Sequence, residues 1–286
     1  MASSSICIAI SGPSSSGKTS ISRLLRDAFT SKSLTKSPPS CTILHADDFY
    51  IPDSELPIVE LRDPKNNNNN NNDNIQKVQD WDCPEALNFP SFITSLKHAK
   101  EFGRLPDSHQ SFEVTHAVGV DESILRVLGG GGKERVLELE KKVVGWLKKL
   151  EREEGRKVEN VVIVDGFLMF GSGVPEELKR EFDVKLMIRT PYEKAKQRRE
   201  ERAGYTTMEG FWQDPPGYFE FLVWPAYVKQ HSYLFKNGDM DTGILTDEAL
   251  SSGLRTPAAT DLTLMQTLEW AVETLEQIKL DSKVTL

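Results

Sequence analysis

Short apolar runs alternate along the chain with longer segments in which apolar residues recur at helical spacing. Mainly apolar runs of strand length cover residues 6–10, 41–45, 161–164 and 184–189, and a last, shorter run lies near residues 243–246. Continuous apolar runs of this length are typical of strands buried on both faces, and strands that alternate with helices favour a parallel sheet. The pattern therefore predicts an α/β fold with a five-stranded, mostly parallel sheet flanked by helices.

Two segments interrupt this alternation. Residues 65–78 contain an uninterrupted run of asparagine from Asn66 to Asn72, which cannot bury apolar surface, so we predict a disordered surface insertion. Residues 100–160 are predicted to form a variable insertion, with a strand or hairpin at residues 112–120 and a flexible joint at residues 129–132.

The second half of that insertion has a clear amphipathic pattern. Apolar positions recur at helical spacing from Val136 to Leu150 among many charges, which predicts a solvated helix at the edge of the domain. A stripe that binds a partner is the alternative interpretation. With a last helix near residues 261–280, the chain is expected to form one domain over residues 1–286.

Composition narrows the class of protein. The chain has 286 residues, 38% of them hydrophobic, which is enough for a packed core, and a formal net charge of −8. An acidic balance argues against nucleic acid or an anionic membrane as the main partner. No apolar run reaches the roughly 18 residues that cross a bilayer, and the three cysteines lack metal-site spacing. We therefore expect a cytoplasmic or nuclear protein, a monomer or weak homo-oligomer, that binds a small molecule.

The most specific motif directly follows the first predicted strand. Residues 12–19 read G-P-S-S-S-G-K-T, a complete phosphate loop, and helical spacing follows from Ser20. Backbone N–H groups of such a loop, together with the helix N-terminus, surround nucleotide phosphates. Lys18 is then expected to reach the β- and γ-phosphates, with the Thr19 hydroxyl on Mg²⁺. A Ser/Gly-rich turn with a chance lysine is the alternative.

Carboxylates follow two further predicted strands. Asp47 and Asp48 come after the second strand, and Asp165 ends the third, at the edge of the sheet where ligands bind in open α/β folds. An acid at the position of Asp165 holds Mg²⁺ directly or through water in phosphate-loop enzymes. Helix or turn caps at Asp47 and Asp48, and an Asp-Gly turn at Asp165, remain the alternatives.

An aromatic residue and a carboxylate stand side by side at Trp81 and Asp82. Trp81 could offer a flat face to a ring, and Asp82 could accept hydrogen bonds from sugar hydroxyls. A core tryptophan and a helix N-cap explain the local pattern equally simply.

Arginines cluster after the fourth strand, at the start of a Gly- and Pro-rich segment. Arg198 and Arg202 share a helix face, while Arg199 lies about 100° round the helix. Cations at this point suit the charge on a transferring phosphoryl group, although charged helices are often simply solvated. Glycines and prolines among aromatic residues suggest that residues 198–217 form a mobile lid.

Taken together and in order, these motifs resemble the nicotinamide riboside kinases, which belong with the uridine kinases among the P-loop nucleoside kinases. Besides the phosphate loop and the arginines, the resemblance rests on A-D-D-F-Y at residues 46–50, W-D-x-P-E-A-L-N at 81–88, D-G-F-L-M-F at 165–170 and D-P-P-G-Y-F-x-x-x-V-W-P-x-Y at 214–227. The specific parts are the last block and the paired acids before two aromatic residues, whereas many families share the phosphate loop. The resemblance implies the P-loop NTPase fold and transfer of phosphate from ATP, with Mg²⁺, to the 5′-hydroxyl of nicotinamide riboside.

The resemblance also implies roles for individual residues. Asp47 would be the catalytic base and, with Thr19 and Asp165, would serve Mg²⁺; Lys18 and Arg198 would offset charge on the phosphoryl group. ATP would contact Gly12, Pro13, Ser14, Ser15, Ser16, Gly17, Lys18, Thr19, Ser20, Arg198, Arg202 and Tyr205. The nucleoside would contact Asp47, Asp48, Phe49, Tyr50, Trp81, Asp82 and Arg199, with Trp81 stacked on the nicotinamide ring.

Three departures from the family pattern are visible. Trp81 replaces a smaller aromatic residue, Asp165 replaces a glutamate, and Gly204 is inserted ahead of Tyr205 in a longer lid. A uridine or cytidine kinase is the nearest alternative, although Trp81 beside Asp82 suits a cationic ring. A nucleotide-binding regulator without catalysis is the second alternative, against which the intact Lys18 and acids argue. No N-K-x-D guanine motif occurs, which argues against a GTPase switch.

Overall fold

The computed structural model describes residues 5–32, 34–62, 75–111, 132–202 and 204–278. The asparagine tract, the predicted strand or hairpin at residues 112–120 and most of the predicted joint at residues 129–132 lie outside these described residues.

A five-stranded sheet forms the centre of the molecule, in the order β2-β5-β1-β6-β9. All four strand pairings in this sheet are parallel. The predicted five-stranded α/β fold is therefore confirmed, with β1 in the middle. The strands are β1 (Ser5–Ser11), β2 (Ser40–His45), β5 (Asn160–Gly166), β6 (Val184–Met187) and β9 (Leu254–Arg255).

The last strand lies later in the chain than the sequence pattern indicates. The prediction at residues 243–246 is wrong, because the fifth strand is Leu254–Arg255 and Leu245 forms only an isolated antiparallel bridge with Phe235. Buried Arg189, just after β6, donates hydrogen bonds to the carbonyls of Met240 and Asp241. The segment before Leu245 therefore runs as a loop over this guanidinium.

Helices cover both faces of the sheet, and β1 shows why. Side chains alternate in direction along a strand, so that Ile6, Ile8 and Ile10 enter one apolar cluster and Cys7 and Ala9 enter the other. The first cluster contains α1 (Lys18–Phe29), α3 (Gly132–Glu154) and α8 (Leu264–Gln277). The second contains α2 (Phe89–Phe102), α4 (Glu176–Arg180), part of α6 (Trp224–His231) and α7 (Asp247–Ser251).

The amphipathic helix predicted from residue 136 onward is present as α3, and its apolar stripe is buried. Val143 and Trp146 lie in the core against α1 and α8, and the Trp146 ring meets Phe29 edge-on at 6.2 Å between centroids. The chain's own helices therefore cover the stripe on which the partner-binding alternative rested.

Two short hairpins stand outside the main sheet. One joins β3 (Ile58–Arg62) to β4 (Ile75–Gln79), and the other joins β7 (Tyr205–Thr206) to β8 (Phe211–Trp212). The prediction of a disordered insertion over residues 65–78 is wrong for residues 75–78, because they pair with β3 as part of β4. The second follows the arginine helix α5 (Tyr192–Glu200) and precedes a π-helical turn, Phe219–Val223, that leads into α6. Within the described ranges, no helix is both long and apolar enough to cross a membrane.

Candidate active site

The phosphate loop connects β1 to the N-terminus of α1. Gly17, in the left-handed region with φ of 88°, forms the N-cap of α1. A Cβ atom on Gly12 would lie 2.6 Å from the Ile188 carbonyl oxygen, so that only glycine fits there without displacement. The Lys18 ammonium donates a hydrogen bond of 2.9 Å to the Pro13 carbonyl. The loop therefore curls around its own lysine with the helix N-terminus at its base.

A cleft of about 360 Å³ opens from this loop. It brings together side chains from the phosphate loop, from the ends of β2 and β5, from the segment after β4 and from the arginine region. Of the predicted site residues, the cleft is lined by Ser14, Ser15, Gly17, Lys18, Thr19, Ser20, Asp47, Asp48, Tyr50, Trp81, Asp82, Asp165, Arg199, Arg202 and Tyr205.

Charge at the phosphate end of the cleft is mixed. Burial lowers the pKa of Lys18 to about 8, against the opposing influence of the Asp47 and Asp165 carboxylates. Asp47 is exposed to the cleft in a single 3-10 turn, Ala46–Phe49, that directly follows β2. A lysine under the influence of two carboxylates, at a helix N-terminus whose first N–H groups lack intrahelical partners, is an arrangement suited to a polyphosphate with its metal ion.

Asp165 is buried near the end of β5. It is 4% exposed, and its Oδ1 lies 2.8 Å from Nδ1 of His45. Its other oxygen, Oδ2, is buried and has no hydrogen-bond partner within the described part of the chain. An orphaned carboxylate oxygen beside Thr19 and Asp47 in the same cleft fits a Mg²⁺ ion or a water bound to it.

The described residues contain no cluster of three or more His, Cys, Asp or Glu side chains that could hold a metal ion alone.

The two residues that follow Asp47 differ in their surroundings. The Asp48 carboxylate lines the cleft and accepts a hydrogen bond from the Ser111 hydroxyl at 3.0 Å, with His109 Nε2 at 3.2 Å. Phe49 is buried and stacks on Phe92 at 4.6 Å between ring centroids, in the core rather than among the cleft-lining residues. Successive side chains of this short turn point in different directions, so that one side of the turn faces the cleft and the other packs on α2. This accounts for the difference.

Aromatic rings form the opposite end of the cleft. Trp81 is 6% exposed and contacts Tyr50 edge-on at 5.1 Å and Trp212 at 5.8 Å between centroids. The Tyr218 hydroxyl accepts a hydrogen bond from the backbone N–H of Trp81 and donates one to the Gln79 carbonyl. Trp81 is therefore both a buried residue and a wall of the cleft, so the two interpretations of its position coexist.

A buried ion-pair network stands beside this aromatic wall. Both terminal nitrogens of Arg199 lie 3.3 Å from the Asp82 carboxylate, and the guanidinium also donates to Asp214 at 2.6 Å and 3.1 Å. Burial raises the pKa of Asp82 to about 6, and the Arg199 charge opposes that rise. Burial alone would lower the pKa of Arg199, but Asp82 and Asp214 raise it well above its usual value. The network fixes the carboxylate at the cleft wall.

The remaining arginines occupy the phosphate side. Arg198 is half-buried and donates to the Ser15 carbonyl of the phosphate loop at 3.3 Å, although it does not itself line the cleft. Arg202 lines the cleft, with its guanidinium 5.1 Å from the centre of the Tyr205 ring. Gly12, Pro13 and Ser16 belong to the loop but also lie outside the lining.

The hairpin between β7 and β8 covers the cleft and is anchored across it. The Glu209 carboxylate accepts hydrogen bonds from the N–H and hydroxyl of Ser54, at 3.1 Å and 3.2 Å. The Thr207 hydroxyl donates to Asp53 at 2.7 Å. We call this set, Asp53, Ser54, Thr207 and Glu209, the lid latch.

Several cleft residues were not predicted from the sequence. Thr206, Thr207, Met208 and Trp212 of the lid line the cleft, and His45 pairs with Asp165. The aromatic residues of the lid were a weak signal for Trp212. No local pattern pointed to His45, because its partner is 120 residues away along the chain.

A parallel sheet with a phosphate loop on its central strand, acids at the ends of β2 and β5, and an arginine helix beside the loop define a P-loop kinase. Nicotinamide riboside kinase of Schizosaccharomyces pombe is 33% identical over 275 residues, 96% of this chain and 98% of that protein. The chain belongs to the nicotinamide riboside kinase family.

Other comparisons range from close to remote. Nicotinamide riboside kinase of Saccharomyces cerevisiae is 35% identical over 82% of this chain and 81% of its own length. Human nicotinamide riboside kinase 1 is 24% identical over 78% of this chain and 74% of its own length. No family model matches the chain. A solved structure, a putative fructose transport system kinase from Silicibacter sp. TM1040, is 16% identical over 93% of this chain and 85% of that one, with a TM-score of 0.37, too low to support an argument.

Proposed function

We propose that this chain transfers the γ-phosphoryl group of ATP to the 5′-hydroxyl of nicotinamide riboside, giving nicotinamide mononucleotide for NAD synthesis. The observation that carries the proposal is that one cleft contains both pairs of residues. Lys18 and Thr19 line one end, and Trp81 and Asp82 line the other. The first pair suits ATP phosphates, and the second suits a ring and its ribose.

The acceptor end of the cleft favours a cationic ring. Trp81 presents an aromatic surface within a wall that includes Tyr50 and Trp212, and carboxylates lie close by. A positively charged nicotinamide ring is attracted to the face of an indole and to nearby negative charge. Ribose hydroxyls would then donate to Asp82, which Arg199 holds in place.

Transfer in this proposal is in line and needs no covalent intermediate. The 5′-oxygen bonds to the γ-phosphorus as the bond from that phosphorus to the bridging oxygen of ADP breaks, and Asp47 accepts the hydroxyl proton. The phosphate-loop residues Gly12 to Ser20 would bind the phosphates, and Lys18, Arg198 and Arg202 would offset their charge. Mg²⁺, held by Thr19, Asp47 and Asp165, would supply further charge neutralisation when bound.

The test is ADP release by the purified protein with ATP and Mg²⁺, in parallel with nicotinamide riboside, uridine, cytidine and no acceptor. We expect release chiefly with nicotinamide riboside, with the mononucleotide identified by mass spectrometry. Faster release with uridine or cytidine would assign a pyrimidine nucleoside kinase. No release with any of these acceptors would favour a non-catalytic nucleotide-binding regulator.

A single substitution tests the assigned base. Asp47→Asn keeps the side-chain volume but cannot accept the proton, so turnover should fall by roughly 10²–10⁴-fold while ATP binding, measured by calorimetry, is retained. Asp107→Asn, which changes a highly exposed carboxylate outside the cleft, should keep wild-type turnover. Normal turnover in the Asp47→Asn protein would remove Asp47 from the mechanism.

A further inference from the structure

His45 is placed against Asp165 by the pairing of two neighbouring strands. β2 and β5 run parallel, and His45 and Asp165 are direct partners in their register. His45 is the last residue of β2, and Asp165 is the second-last residue of β5, before Gly166. Both therefore lie at the end of the strand that faces the cleft. Direct partners on parallel strands project to the same face of the sheet, so the two side chains meet where the strands end.

The contact holds one oxygen of the carboxylate and leaves the other. An ionised carboxylate only accepts hydrogen bonds, so His45 Nδ1 must carry the hydrogen that it donates to Oδ1 at 2.8 Å. The side chains are 12% and 5% exposed, so water competes little for this bond. Oδ2, the oxygen that His45 does not hold, is the buried atom without a hydrogen-bond partner in the described ranges.

We propose that His45 is a positioning residue: its Nδ1–H fixes the orientation of the Asp165 carboxylate and keeps Oδ2 available to Mg²⁺ or to a water bound to it. The inference rests on the proposed function in one respect, that the cleft binds ATP with Mg²⁺. It depends on hydrogen-bond donation and not on any change of charge on the imidazole. Partners of this kind commonly contribute 10–100-fold to metal affinity or activity by orienting a ligating group.

Substitutions of His45 can place an amide N–H donor either near the position of Nδ1 or near that of Nε2. His45→Asn places an amide N–H near the position of Nδ1, whereas His45→Gln places its amide near the position of Nε2, so only the first can replace the bond to Asp165. His45→Leu removes the donor and keeps an apolar group of similar size. Thermal unfolding of each variant establishes that it is folded before metal binding is measured.

Metal binding is read directly, without phosphoryl transfer. We expect Mn²⁺ affinity, measured by electron paramagnetic resonance with a non-hydrolysable ATP analogue, to fall roughly 10–100-fold in His45→Gln and His45→Leu. His45→Asn should stay within about threefold of the wild type. Binding of the nucleotide analogue without metal should be unchanged in all three.

Two results would overturn the proposal. Wild-type Mn²⁺ affinity in the Gln variant, or in a folded Leu variant, would show that the contact does not position a ligand. Equal losses in the Asn and Gln variants would show that the imidazole matters for packing and not as a donor. Failure of the wild type to phosphorylate any nucleoside would instead refute the proposed function and leave the metal comparison valid.

Discussion

At the scale of single residues, the end of the cleft proposed to bind the nucleoside contains a buried carboxylate, that of Asp82, whose ionised form is disfavoured by burial. Asp82 is 3% exposed, and burial raises its pKa to about 6 even with Arg199 at 3.3 Å. Asp214 shares the same guanidinium, so one cation serves two acids. The pKa of Asp82 therefore lies closer to neutral pH than the pKa of an ordinary aspartate.

This leads to a pH dependence with a definite sign. With a pKa of about 6, Asp82 becomes protonated below that pH, and in the proposed function it then loses an acceptor for ribose hydroxyls. We expect kcat/KM for nicotinamide riboside to fall towards tenfold per pH unit below that value. The KM for ATP at saturating nucleoside should change much less. Steady-state rates between pH 5 and 8 provide the measurement.

The matching variant separates Asp82 from other titrating groups. Asp82→Asn should lower kcat/KM at pH 7.5, because the amide is a weaker acceptor for the hydroxyls, and should abolish the fall near pH 6. A fall of the same size and midpoint in Asp82→Asn would assign that titration to a different group.

What could be predicted at this scale depended on local spacing. Lys18 and Thr19 were identified because the phosphate-loop motif places them within eight consecutive residues. The prediction that Asp82 and Arg199 both contact the nucleoside needed the resemblance, since 117 residues separate them along the chain. Phe49 differs in position from its neighbours: Asp48 and Tyr50 line the cleft, while the Phe49 ring stacks in the core, and its contact with the nucleoside stays a prediction.

At the scale of secondary-structure elements, the lid is defined by where its hairpin is fastened. The sequence predicted a lid at residues 198–217 from its glycines and prolines, and its mobility stays a prediction. The hairpin and the lid latch could not be predicted, because Ser54 and Glu209 are 155 residues apart and polar residues in turns are common. The latch joins the lid to the segment that precedes β3, on the side of the cleft where we propose that the nucleoside binds.

Weakening the latch should therefore affect the nucleoside more than ATP. Glu209→Gln removes the charge of the carboxylate and replaces one of the two oxygens that accept from Ser54 with an NH2 group, which cannot accept. We expect the KM for nicotinamide riboside to rise several-fold, and ADP release without acceptor to increase as water reaches the phosphate. Coupled ADP assays with and without nucleoside measure both quantities.

The control for this variant lies on the neighbouring hairpin. Glu60→Gln removes an exposed carboxylate of β3, and both rates should remain those of the wild type. If Glu209→Gln also behaved as the wild type, the latch would have no part in closing the cleft.

At the scale of the whole molecule, the segment predicted as an edge insertion supplies part of the main core. The strand runs and their alternation with helices were sufficient to predict the parallel sheet. The depth of α3 was not predictable, because an amphipathic stripe indicates that a helix has a partner without indicating which one. Here the partners are α1 and α8, with Trp146 2% exposed between them.

Removing that contact should destabilise the entire domain. Trp146→Ala leaves a cavity between α3 and α1, and we expect the free energy of unfolding to fall by about 3–5 kcal/mol. Leu137→Ala, on the exposed side of the same helix, should change it by no more than about 0.5 kcal/mol. Urea denaturation followed by circular dichroism compares the two. Similar small effects would mean that α3 is only loosely attached.

The tryptophan pair at the acceptor end has an optical consequence. The ring centroids of Trp81 and Trp212 lie 5.8 Å apart. Trp81 follows the β3–β4 hairpin, Trp212 lies in the lid, and both line the cleft. A ligand that entered between or beside these indoles would alter their emission, and so would a shift of the lid. With the nucleoside bound in the proposed site, intrinsic tryptophan emission should therefore change and report binding without an attached dye.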